Sequence, residues 1–374
     1  KQGETIGTMM QNAPMMDFSV VSRNGVAALV GDQYIVSVAH NVGYSGVDFG
    51  MEGSNPDQHR FGYNIVKRNN YKNDSTHPYM TDYHNPRLTK FVTEAAPIEM
   101  VSNMQGNTYG DLEKYPMRVR IGSGRQVVRD AKDKDTEVSG AYHYRTAGNT
   151  FMQGWANNGE VSLSGDVRYP NQYGVLPISG SFGDSGSPMF IYDKTAGKWL
   201  LNGVLRSGHP YEGKENTYQI ARKNYLDEII ARDLVTVFEA TAASYDWTAD
   251  GNGSGTLIKD GRVAANTPLA NYSLASSGSD EAFGYGGPNP YMPAQHHGKN
   301  IYFGNLENGT VTLKNNIDQG AGGLTFEGDF VVQPTTDETW KGAGVSVSEG
   351  STVTWKIKNP AGDRLSKIGQ GTLL

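Results

Sequence analysis

"GGLTFEGDF" (Gly322–Phe330) and "GAGVSVSEGSTVTWKI" (Gly342–Ile357) share one grammar: a glycine lead, a short apolar alternation, then a polar corner. Leu324 and Val345 stand 21 positions apart, and Val353 and Leu373 stand 20 apart. Such a near-regular period suits a parallel β-solenoid, in which each rung buries its apolar face only against its neighbours. The same pattern occurs in "GNGSGTLIKDG" (Gly251–Gly261) and "NGTVTLKNNI" (Asn308–Ile317). A β-sandwich is the alternative architecture for these alternations.

Upstream, to about residue 238, short apolar runs are separated by irregular loops. "GVAALV" (Gly25–Val30) and "YIVSVAH" (Tyr34–His40) read as strands joined by the turn Gly31-Asp32-Gln33. "YPMRVRIGSG", "SPMFIYD" and "KWLLNGVLRSG" read as further strands, the last two joined by a turn at Lys194–Gly197. One helix is expected in "ARKNYLDEIIARDL", where Leu226, Ile229, Ile230 and Leu234 form an apolar stripe and Asp233 breaks it. Many strands closed by one helix predict a β-barrel unit over residues 1–238, with a linker and the first solenoid rungs over 239–374. The fold class expected is therefore mainly β.

Composition narrows the function. The chain has 374 residues, 47 of them glycine, and a net charge of −6. That charge offers no basic field for a phosphate backbone, so nucleic acid is not expected as a partner. No apolar run approaches the ~20 residues of a membrane-spanning helix. The absence of cysteine excludes thiol catalysis and Cys-ligated zinc, and suits a chain that crosses a membrane unfolded. No H-E-x-x-H motif or His/carboxylate cluster argues for a metal, and no cofactor is expected. "RDAKDKDTE" (Arg129–Glu137) lacks the spacing of a calcium loop and reads as a solvated charged loop. The chain starts without a methionine and stops inside an apolar alternation, as a segment of a longer polypeptide would.

"SFGDSGSPMF" (Ser181–Phe190) carries the chemical signal. A serine hydroxyl becomes a nucleophile only with a base in reach, a group to orient that base, and donors for the oxyanion. Gly183 and Gly186 permit a tight bend that can converge the N–H groups of Gly183 and Ser185 on one point. The pattern departs from the G-x-S-x-G elbow, since Ser187 replaces the second glycine and a strand follows. Asp184, next to the nucleophile, reads as a brace for the loop. Among eight histidines, His40 is the expected base, delivered to a loop edge by the apolar run "YIVSVAH". In a His…Asp…Ser order the orienting acid is one of Asp48, Asp57, Asp74, Asp82 and Asp111. Asp82 in "DYHNPRL" has the best setting, with Asp48 in "GVDFG" equally ordered.

"YIVSVAHN" together with "GDSGSP" resembles the chymotrypsin-type serine peptidases. "KFVTEAAPIEM", "SFGDSGSPMF", "IDQGAGGLTFEGDF" and "DRLSKIGQGTL" extend the resemblance to the passenger regions of Gram-negative serine protease autotransporters. That group includes the immunoglobulin A proteases and the adhesion and penetration proteases. The resemblance implies a chymotrypsin-like double β-barrel followed by a right-handed parallel β-helix. It implies His40 as base, Asp82 as orienting acid, Ser185 as nucleophile, and Gly183 and Ser185 as oxyanion donors. "LNGVLRSG" falls on the family's substrate-flanking strand, so Leu205, Arg206 and Ser207 are expected to face the substrate. Arg206 would then disfavour a basic side chain at the cleavage position. The resemblance further implies secretion to the bacterial cell surface through a C-terminal translocator barrel, which the sequence lacks, as it lacks the family's early N-terminal segment. The partner expected is a protein or peptide substrate, either a host extracellular protein or the passenger itself. An adhesive module with an inactive protease-like head is the competing function.

Overall fold

The computed structural model describes residues 13–42, 44–50, 61–71, 78–129, 135–165, 173–208, 215–239, 242–272, 294–305 and 308–374. Two large antiparallel sheets and a separate two-stranded one, Gln126–Arg129 with Asp135–Ser139, build the head. The first runs Ala28–Gly31, Tyr34–Val36, Arg87–Leu88, Gly62–Lys67, Gly46–Asp48 in spatial order. The expected hairpin is its first pair, with Gly31 opposite Tyr34. The second sheet has seven strands, with Pro188–Asp193 between Lys198–Ser207 and Arg118–Gly122. Phe190 and Ile191 are fully buried in the larger head core, as their sequence of apolar residues predicts for a strand covered on both sides.

The helix spans Lys223–Arg232 and buries Tyr225, Leu226 and Ile229. Asp233, which breaks its stripe, is fully buried at the C-cap. Three groups account for it: Tyr34 donates its hydroxyl to Asp233 at 2.8 Å, Arg232 at 2.9 Å, and Arg87 lies 3.8 Å away. Burial alone would raise its pKa, but Arg87 and Arg232 outweigh that and hold it below the ordinary carboxylate value.

Downstream the sheets turn parallel. Leu234–Glu239, Asn300–Asn305, Leu324–Glu327, Val345–Val347 and Lys367–Ile368 stack in one sheet. Ala243–Ala249, Gly309–Leu313, Phe330–Pro334, Thr352–Trp355 and Thr372–Leu373 form the parallel stack of another. Leu324 pairs with Val345 and Val353 with Leu373, the two spacings read from the sequence. A solenoid, not a sandwich, results, and its interior stacks like on like: Phe303 lies over Phe326 with centroids 5.0 Å apart. The first rung strand begins at Leu234, so position 238 falls inside it. "GNGSGTLIKDG" contributes a strand, Gly255–Lys259, of an antiparallel hairpin laid beside Ala243–Ala249.

Head and solenoid are stitched together by the turn of the first hairpin, the strand Arg87–Leu88 and the segment that follows that strand. Gln33 donates to Ala321 O at 2.9 Å and Arg87 to the same oxygen at 3.0 Å. Phe91 N donates to Ala343 O at 2.9 Å, and Lys90 Nζ reaches Asp363 at 2.7 Å.

Candidate active site

The site forms where the two head sheets meet. His40 lies in the turn that follows Tyr34–Val36, four residues beyond the strand rather than on its last residue. Asp82 follows the short 3-10 turn Pro78–Thr81 and is fully buried. Its Oδ1 accepts from His40 N at 2.8 Å and its Oδ2 from His40 Nδ1 at 2.6 Å, so backbone and ring are gripped together. With Nδ1 donating to a carboxylate, Nε2 is left as an acceptor. Ser185 Oγ lies 2.8 Å from that Nε2.

Ser185 comes from the other sheet, on the bend before Pro188–Asp193. The bend is closed by Asp184 N to Ser181 O, Ser187 N to Asp184 O and Gly186 N to Leu205 O. Among the described residues, the N–H groups of Gly183 and Ser185 donate to no backbone or side-chain acceptor. Two donors left open beside a serine hydroxyl form the arrangement an oxyanion would require. Gly183 and Gly186 have φ of +94° and +82°, the left-handed region that glycine tolerates. At Gly186 the need is also spatial, because a Cβ would lie 2.0 Å from Ser37 Oγ and 2.4 Å from Val26 O. The serine bend thus presses on the first sheet, which is how the imidazole comes within reach.

The other acids are engaged elsewhere. Asp48 pairs with Arg23 at 2.6 Å, and Asp111 accepts from Glu113 N in a local turn. Asp57, Asp74, His59, His77, His209 and part of "RDAKDKDTE" lie outside the described residues.

Of the three expected substrate-facing residues, Ser207 lines the cleft of about 800 Å³ beside His40 and Ser185. Leu205 does not face it. Its side chain is 1% exposed within the head core, against Gly180; the register shifts between Leu205 and Ser207, so two residues that regular alternation would set on one face diverge. Arg206 pairs with Glu160 at 3.2 Å, so it brings no unbalanced positive charge against a basic substrate side chain.

Sequence reading missed three contributors. Asn41 donates through Nδ2 to Ser185 O at 3.1 Å, tying histidine turn to serine bend. Phe182, 80% exposed, stands at the cleft beside Gly183. Arg120 reaches the serine bend from behind. Position next to His40 or Ser185 could have flagged the first two; Arg120 carries no local signal.

A two-sheet head with a Ser–His–Asp array, fused to a parallel β-helix, is the architecture of serine protease autotransporter passengers. The chain belongs to the immunoglobulin A1 protease family, whose model matches residues 1–224. It is 59% identical, over its whole length, to an adhesion and penetration protein autotransporter of Haemophilus influenzae, covering 27% of that protein. It is 32% identical to the IgA-specific serine endopeptidase autotransporter of Neisseria gonorrhoeae, of which it covers 25%. The chain thus spans about a quarter of the length of these relatives. The crystal structure of the Haemophilus influenzae Hap adhesin superposes with a TM-score of 0.88 at 54% identity, over all of this chain and 40% of that one. The passenger domain of plasmid encoded toxin from Escherichia coli shares the fold, with a TM-score of 0.66 at 22% identity, over 96% of this chain and 33% of that one. The chain is a passenger segment of an autotransporter, a class secreted to the bacterial cell surface, and among the described residues no helix is long and apolar enough to cross a membrane.

Proposed function

We propose that this chain carries the catalytic head of a secreted serine endopeptidase. The observation that supports it is the unbroken hydrogen-bond chain Asp82–His40–Ser185 at 2.6 and 2.8 Å, beside the open N–H groups of Gly183 and Ser185. Ser185 Oγ attacks the peptide carbonyl carbon while His40 Nε2 takes its proton. Asp82 keeps the tautomer and steadies the imidazolium. The carbonyl oxygen, now negative, is held by the Gly183 and Ser185 N–H groups. His40 then protonates the leaving amine, the C–N bond breaks, and an acyl-enzyme remains on Ser185. Water attacks that ester with His40 again as base, releasing the acid and restoring the hydroxyl.

The substrate is proposed to be an extended segment of a protein, either a host extracellular protein or the chain's own passenger. A second reading is an adhesive passenger with an inert head; the name of the adhesion and penetration relative supports its adhesive part. Labelling of the full-length protein with a fluorophosphonate separates the two. Stoichiometric labelling that Ser185→Ala abolishes supports the peptidase, and an unlabelled wild-type protein supports the adhesin.

A further inference from the structure

The bend that presents Ser185 is held from behind by a buried charge pair to which the steps of acyl transfer assign no role. Asp184 is 4% exposed. Its Oδ1 accepts from Gly124 N at 2.8 Å and its Oδ2 from Ser181 N at 2.8 Å. Arg120, 1% exposed on the strand Arg118–Gly122, places Nη2 at 3.1 Å from Asp184 Oδ1. The same Nη2 donates to Ser187 Oγ at 2.8 Å, and Nη1 donates to Ser179 O at 3.1 Å. One guanidinium therefore grips the bend at three residues that bracket Gly183 and Ser185. The packing leaves no slack, since a Cβ on Gly122 or Gly124 would lie 2.2 and 2.5 Å from atoms of Asp184.

Donors to a developing oxyanion act only if they are fixed before the reaction. Gly183 has no side chain to anchor it, so its N–H direction is set by the residues around it. A buried carboxylate that loses its cation turns towards water or takes up a proton. Either response releases Ser181 N or Gly124 N and lets the peptide between Phe182 and Gly183 rotate.

We propose that Arg120 is a positioning residue for acyl transfer: acting through Asp184, it keeps the Gly183 and Ser185 N–H groups aimed at the forming oxyanion. This rests on the peptidase reading of Ser185. Arg120 is too deeply buried to touch substrate, so its removal spares substrate binding and slows the chemical step.

The test compares wild type, Ser185→Ala, Arg120→Met and Arg120→Lys in the full-length protein, with active sites counted by fluorophosphonate titration. Arg120→Met should lower kcat per titrated site by roughly 10²–10³-fold while KM stays within about threefold. Arg120→Lys, which keeps the charge and loses the fork, should fall between it and wild type. A kcat per site within threefold of wild type for Arg120→Met overturns the assignment, as does a loss seen only in the number of folded sites. If Arg120→Met does not fold, Arg120→Lys decides by the same threshold. Active wild type, inert Ser185→Ala and intact Arg120→Met sink the Arg120 assignment alone; inert wild type sinks the peptidase reading and this one with it.

Discussion

Tyr34 donates its hydroxyl to Asp233 at 2.8 Å, joining the first hairpin of the head to the residue from which the solenoid departs. Arg87 sits 3.8 Å from the same carboxylate and also bonds Ala321 O of a later rung. The parallel stack is thus keyed to the head by buried polar groups as well as by apolar packing.

Removing one partner of such a buried pair leaves the other uncompensated. Asp233→Ala is expected to cost about 3–5 kcal/mol, measured as a shift of the denaturant midpoint. The sign of its pH dependence follows from the lowered pKa in the fold. Its contribution is present above the unfolded value of about 3.9 and is lost as pH falls below it, so wild type and Asp233→Ala should converge in acid.

Gly186→Ala should act on geometry. The added methyl meets Val26 O and Ser37 Oγ, in a backbone conformation that costs an alanine roughly 1–2 kcal/mol. Relief must push Ser185 away from His40, and a displacement of about 1 Å can lower turnover by ~10²-fold. A Gly186→Ala variant with wild-type kcat would show that the bend yields elsewhere.

The chemistry follows from the same contacts. Asp82→Asn keeps the hydrogen-bond geometry but favours the wrong imidazole tautomer, and should lower kcat by about 10⁴. Ser185→Ala should abolish labelling, lower kcat by several powers of ten and leave the melting temperature nearly unchanged. Steady-state kinetics and calorimetry on the two variants check both expectations.

Local features in this chain were legible and crossing features were not. The Gly31-Asp32-Gln33 turn and the 21-residue step from Leu324 to Val345 could be read because turn chemistry and rung period are written in neighbouring residues. His40 and Ser185 stood out through their own short motifs. Asp82 could not be separated from Asp48 by spacing, because the contact with His40 joins residues 42 apart through tertiary packing. Leu205 reads as substrate-facing along with Ser207 because regular alternation would set both on one face, and the register shift between them is not written in the neighbouring residues. Arg120 was invisible: an arginine inside "MRVRIG" reads as a solvent-facing strand residue until Asp184 is brought against it.

His84 gives the last prediction, and its sign is opposite in kind to the usual stabilising histidine. It is fully buried two residues beyond Asp82, and its backbone pairs with Ser37 in both directions. Tyr44 Oη lies 2.8 Å from its Nε2, and the Arg68 guanidinium stacks over the Tyr44 ring at 5.2 Å. Burial first, then the charges of Arg68 and His40, push its pKa well below the ordinary 6.5. The native state therefore refuses a proton that the unfolded chain accepts, so stability falls as pH drops below about 6.5, by up to ~1.4 kcal/mol per pH unit. Denaturant melts at pH 7.5 and 5.5 should show this loss in the wild-type protein and a smaller one in His84→Gln, whose amide can still accept from Tyr44. Equal losses in the two proteins would assign the acid sensitivity to other groups.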